Sequence, residues 1–178
     1  MEFDLDKSIL ILKRTPGVLR ALVGDLPQEW THRDYGPQTW TAHQVVGHLI
    51  WGDRTDWMPR AKHILEAGDD ISFEPFDRKG HLTMCRETKL HDLLAVFAKK
   101  RIANLDALQE LSLSPEQLQK CGRHPDFGIV TLSQLLATWT VHDLHHIAQI
   151  CKAMASQYKD AVGPWQAYLS ILAPPNPR

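Results

Sequence analysis

The sequence predicts an all-α protein, a four-helix bundle with short extra helices. Three observations predict it. Apolar residues recur at helical spacing along four long segments, capping signals open most of them, and no stretch alternates apolar and polar residues as a strand would. At 178 residues the chain has the size of one domain of ~150 residues with a short appendage. We read residues 1–173 as a single bundle and 174–178, with three prolines, as a tail.

The first stripe is Leu5, Ile9, Leu12, Pro16, Leu19, Val23 and Leu26, at spacings of 4, 3, 4, 3, 4 and 3. Pro16 should restart the helix, with Thr15 as N-cap and Pro16 in the first turn, and Gly24 should stop it. Residues 25–40 hold two prolines and a glycine and read as a loop. A capping box, Thr41 with Gln44, opens a second helix that should run to Ala67 and stop at Gly68. Val46, Ile50, Trp57, Ala61 and Ile64 form its core stripe, with Asp53 unexpectedly on the same stripe.

Residues 68–88 read as irregular, a connection of about 20 residues that permits a crossover and so a connectivity other than simple up-down-up-down. The third helix spans Lys89 to Leu111, with Leu90, Leu94, Phe97, Ala98, Leu105 and Leu108 inward. A second box, Ser114 with Gln117 and Pro115 in the first turn, starts a short helix, and 121–130 read as a loop. A third box, Thr131 with Gln134, opens a helix to about Tyr158, and a last short helix covers 164–172.

Composition narrows the function classes. Lys and Arg total 20 against 21 Asp and Glu, so there is no basic footprint for nucleic acid. The longest apolar runs fall far short of the ~20 residues that cross a bilayer. The acidic opening Met1-Glu2-Phe3-Asp4 does not read as a signal peptide. Cys85, Cys121 and Cys151 are odd in number and widely spaced, as free thiols in a reducing cytoplasm are. No P-loop, Gly-rich dinucleotide turn or nucleophile elbow is present.

Histidine is the unusual count, ten in 178 residues. The fourth helix carries Leu132, Leu135, Trp139, His142, His146, Ile150 and Ala153 on one stripe, so two histidines occupy core positions. At ~100° per residue, His142 and His146 lie ~40° apart on one face, and Gln149 falls ~20° to the other side of His142. Such a pair either hydrogen-bonds in the core or converges on one ion, and an ion needs a third ligand. His48 is the candidate. Wheel position alone puts it off the core stripe of helix two, on a surface. The apolar surroundings and Gly52, which would leave space beside the ring, favour an inward place.

The stretch Trp40-Thr41-Ala42-His43-Gln44-Val45-Val46-Gly47-His48-Leu49 resembles the second-helix motif of the DinB-like (DinB/YfiT) family of bacterial proteins. The segment from His124-Pro125-Asp126-Phe127-Gly128 through His142-Asp143-Leu144-His145-His146-Ile147-Ala148-Gln149-Ile150 resembles that family's fourth-helix signature, and Thr15-Pro16 is also similar. The resemblance covers nearly the whole chain. It implies a DinB/YfiT-type four-helix bundle, a divalent metal held by His48, His142 and His146, a homodimer and a cytoplasmic location. Relatives are provisionally named metal-dependent hydrolases, and the fold is shared with transferases and isomerases that use low-molecular-weight thiols.

The expected function is therefore a metal-dependent enzyme, a hydrolase or a thiol S-transferase, acting on a small molecule with a thiol as a further partner. Three protein ligands leave a coordination position open, whereas structural zinc usually takes four. Imidazole ligation puts zinc or nickel first, with iron or manganese behind them. Gln149 is read as a support for a ligand, and Asp143 as a brace to another helix. A second reading is a non-catalytic stress-response module in which the metal only clips helices two and four together. A third is a metal-free dimerisation domain.

Other residues stay outside the site. His145 reads as surface or interface, and Cys121-x2-His124 lacks companions for a second metal. Arg123 and His124 are placed near the mouth of the bundle, where they could meet an anion. Asp53 reads as half of a buried salt bridge, with Arg101 as its partner. Lys99-Lys100-Arg101 as a run reads as a solvated face.

Overall fold

The computed structural model describes residues 1–173, and the proline-rich tail 174–178 lies outside them. The first stripe divides into α1, Leu5–Leu12, and α2, Thr15–Val23. Asp4 caps α1 by accepting from the Lys7 N–H at 3.0 Å. Arg14, not Thr15, is the N-cap of α2. Thr15 is buried within the first turn instead, where it hydrogen-bonds the Ile11 carbonyl. The loop read at 25–40 contains one turn of helix, α3, Gln28–Thr31.

The second long helix is interrupted. Helix α4, Ala42–Thr55, carries the Thr41–Gln44 capping box, and α5, Trp57–Ala67, follows after a bend at Asp56. Pro59 explains the bend: it has no N–H for the Thr55 carbonyl, and its ring crowds that carbonyl. The stretch read as irregular at 68–88 holds a further helix, α6, His81–Glu87. Helix α7, Leu90–Glu110, and the one-turn α8, Pro115–Leu118, follow as read.

The loop read at 121–130 is a hairpin, β1 Cys121–His124 antiparallel to β2 Gly128–Thr131. Gly128 turns the chain at φ +72°, a left-handed value that other residues adopt only under strain. Gly122 lets the strand approach the core: a Cβ there would meet Ile64 at 2.6 Å and Phe73 at 2.7 Å. Helix α9 runs Leu132–Ala155 and then tightens into a 3-10 turn, Ser156–Tyr158. The last segment is two 3-10 turns, Gly163–Tyr168 and Ser170–Leu172, rather than an α-helix.

The result is a four-helix bundle with a small two-stranded sheet. Its rods are α1–α2, α4–α5, α7 and α9. The last rod packs against α1 and against α4–α5, while α7 packs against α2 and α4. The first and second rods thus lie across the diagonal, as do the third and fourth, so the connectivity is not simple up-down-up-down.

The core falls into two apolar halves. One gathers Ile9, Leu12, Trp57, Leu105, Leu108 and Trp139, the other Leu19, Val23, Leu49, Phe97 and Ile150. Between them every rod changes chemistry at one level. Arg101, on α7 and 1% exposed, donates to both Asp53 oxygens at 2.8 and 3.0 Å. It also donates to both oxygens of Asp143 and to the Leu12 carbonyl. Asn104 donates to the Asp53 carbonyl at 2.7 Å. Arg101 therefore belongs to the interior, while its neighbours Lys99 and Lys100 remain at least partly accessible. Burial pushes the Asp53 carboxyl up to about 6, against the opposing pull of Arg101.

Truncating one member of such a layer leaves a buried charge unpaired. Arg101→Ala should cost about 3–5 kcal/mol in urea unfolding, with Arg101→Lys intermediate because it loses the forked geometry. Midpoints indistinguishable from the parent protein would show that the layer contributes little.

Candidate metal centre

His48 lies midway along α4, and His142 and His146 lie one turn apart on α9. Packing of α4 against α9 brings the three rings together. The His142 Nε2 is 3.2 Å from the His48 Nε2 and 3.0 Å from the His146 Nε2. One ligand nitrogen from each of the three lies within 4.8 Å of the others. His48 and His146 are 5% exposed, and His142 is half-buried.

His48 is buried, contrary to its wheel position, because it packs against residues outside the four rods. Trp40 covers one side, with ring centres 4.7 Å apart, and His81 of α6 and Phe76 close the rest at 5.2 and 5.7 Å. Gly52 does not serve His48. It makes room for Trp57, whose Nε1 would lie 3.1 Å from a Cβ at that position.

The residues fit a divalent ion. Nitrogens each ~2.1 Å from a tetrahedral ion stand ~3.4 Å apart, close to the observed spacings. A single proton shared at the His142 Nε2 can satisfy only one of its two contacts, whereas one cation at the centre can serve all three nitrogens. The Gln149 Oε1 lies 2.7 Å from the His146 Nδ1, which therefore donates and leaves the Nε2 lone pair facing the cluster. The buried Nδ1 atoms of His48 and His142 have no such partner among the described residues.

Electrostatics also suit ligation. Burial, the largest cause in each case, lowers His48 to about 3, His142 to about 2 and His146 to about 4. The neighbouring His146 adds to the effect for His48 and His142, while the Gln149 bond opposes it for His146. All three rings are therefore neutral near pH 7, the form that binds metal.

The cluster forms part of the wall of a cavity of about 910 Å³. Another part of the wall is the segment Tyr35 to Trp40, a turn in which Thr39 donates to the Gly36 carbonyl at 2.7 Å. Gln149 lines the cavity as well. His145 is exposed, as read, yet it too lines the cavity. Arg123 and His124 do not: Arg123 donates to the Asp69 carbonyl, and His124 stacks on Phe127. Cys121 stays on the hairpin, hydrogen-bonded to the Gln119 carbonyl. Asp53 and Asp143 face Arg101 rather than the cavity.

Sequence reasoning missed Arg78, Lys152 and the covering role of Trp40 and His81. The first three line the cavity. His81 is fully buried with neither ring nitrogen hydrogen-bonded among the described residues, and burial lowers it to about 4. For Lys152 a signal existed: it lies seven residues after His145, on the same face of α9.

Comparison with known proteins accords with this geometry. The chain is 26% identical to YfiT of Bacillus subtilis over 155 residues, 82% of this chain and 81% of that one. A relative from Bacillus licheniformis is 29% identical over 151 residues, 84% of each chain. Both are provisionally named metal-dependent hydrolases. The solved structure of the Bacillus subtilis protein, described as having an unusual four-helix bundle topology, matches with a TM-score of 0.72 over 85% of this chain and 86% of that one. The family model described as DinB superfamily matches residues 11–150. The chain belongs to the DinB superfamily.

Proposed function

We propose that this chain is a metal-dependent hydrolase whose ion is held by His48, His142 and His146. The observation that carries the reading is the approach of three imidazole Nε2 atoms, from two helices, on the wall of one cavity. A divalent ion bound there would act as a Lewis acid toward a substrate oxygen and bring the pKa of water to about 7. Zinc or nickel suits the all-nitrogen set, with iron or manganese next.

The chain's own residues supply the rest. Gln149 holds the proton on the His146 Nδ1 and so aims the other nitrogen. Trp40 and Phe76 keep water from the flank of His48 and strengthen the electrostatics inside. Among the described residues no Asp or Glu lines the cavity. His145, exposed beside His146, lines the cavity.

A low-molecular-weight-thiol S-transferase would use the same open ion, and its thiol would sit in the same cavity. A stress-response module with a purely structural metal is less favoured, because Arg101 already ties α4 to α9 through Asp53 and Asp143. A homodimer and a cytoplasmic location complete the proposal. The first is supported by the exposed Val141 and Leu144 on α9, the second by three free cysteines.

Protein purified without a nickel column should contain about one equivalent of metal, and His142→Ala should lose it. Gln149→Leu should weaken metal affinity roughly 10–100-fold. Model esters or amides should be turned over, and electrophiles supplied with a small thiol test the transferase. Metal well below stoichiometry and unchanged in His142→Ala would exclude the site.

Chelator-treated protein should also lose stability as pH falls. The three histidines have folded pKa values below their ordinary 6.5, so the unfolded chain takes up protons first. Their contribution is present above about pH 6.5 and declines toward pH 4, with the raised Asp53 partly offsetting it. Urea melts from pH 7.5 downward check the sign, and stability rising on acidification would contradict it.

A further inference from the structure

We propose that Arg78 and Lys152 form an anion-binding rim on the cavity, so that the substrate carries a carboxylate or phosphate group away from the bond that is broken. The inference rests on the hydrolase reading for the word substrate, but the rim is defined by its own residues.

Both cations line the cavity, and no acidic side chain does so among the described residues. Among the described residues their charges are not answered elsewhere. The ion pairs of the described residues join Lys7 to Asp4, Arg60 to Asp56, and Arg101 to Asp53 and Asp143; none involves Arg78 or Lys152. Asp77, beside Arg78 in the chain, accepts from the Lys79 N–H at 2.9 Å. The chain as a whole is net −1, so the two cations are a local feature rather than part of a basic surface.

Lys152 is also held in place. Its Nζ donates to the Ala173 carbonyl at 2.8 Å and lies 5.6 Å from the centre of the Tyr35 ring. Those neutral partners orient the ammonium without neutralising it. Arg78 adds a planar fork that matches carboxylate or phosphate oxygens in pairs. It comes from the segment between α5 and α6 and Lys152 from α9, so cations from two separate segments line one cavity. Arg78 is exposed and Lys152 half-buried; two cations lining one concavity raise the local concentration of an anionic ligand and fix which end enters first.

Anion binding by the rim does not need the metal, which separates the two readings experimentally. Chelator-treated full-length protein is titrated calorimetrically with succinate, inorganic phosphate and neutral succinamide. The anions should bind, and succinamide should bind roughly tenfold more weakly or worse. Arg78→Gln and Lys152→Gln should each weaken the anions by about tenfold or more, with Lys152→Arg restoring most of the loss. Metal content and melting temperature should match the parent, since the rim holds neither the ion nor the core. Whichever anion binds more tightly names the group.

Equal binding of succinate and succinamide overturns the rim, as does unchanged anion binding in both variants or no binding of any probe. Loss of metal stoichiometry with anion binding intact would instead defeat the hydrolase reading and leave the rim standing.

Discussion

A guanidinium buried between two carboxylates organises this molecule. An ionised side chain is costly to remove from water, and it persists inside only where geometry supplies partners for nearly every donor. Arg101 meets that demand with acids from α4 and α9 and a carbonyl from the end of α1. All four rods are consequently registered at one height. A one-residue slip of α4, α7 or α9 would bury an unpaired charge, and a slip of α1 would take the Leu12 carbonyl from Arg101, so the polar layer specifies alignment where two apolar halves alone would tolerate sliding.

The histidines inherit their placement from that layer. His142 is the residue before Asp143, and His48 lies five residues before Asp53 on α4. Tying Asp53 and Asp143 to one guanidinium brings the two helices to the separation at which the rings meet. The layer is dry and charged, while the cluster beside it is neutral and open on one side to a cavity. Burial depresses imidazole basicity, so that near neutral pH the lone pairs are available to a cation and not occupied by protons.

The cavity is completed by segments that belong to no rod. Tyr35 to Trp40 forms one wall and α6 packs behind His48, while Arg78 comes from the connection between α5 and α6. The rods therefore supply the three imidazoles, and the connections supply the covering and the charge of Arg78.

Local physics explains what could be read directly. Capping boxes at Thr41, Ser114 and Thr131 depend on residues three apart, and all three form as read. The stripe on α9, including His142, His146 and the Gln149 support, follows from helical geometry alone. Other features escaped for equally local reasons. The bend after Thr55 depends on Pro59, whose effect falls on a residue upstream, and the hairpin strands are too short to show alternation.

The sequence by itself determined the long helices, the capping boxes at Thr41, Ser114 and Thr131, and two of the three converging histidines, because neighbours along the chain settle those. The Asp53–Arg101 pair was legible as well, but the side of α4 on which His48 is buried was decided only by the tertiary structure, as were the second acid on Arg101, Asp143, and the meeting of Arg78 and Lys152 at one cavity. Each of these depends on surfaces supplied by distant segments, and the period of a single helix carries no information about what packs against it.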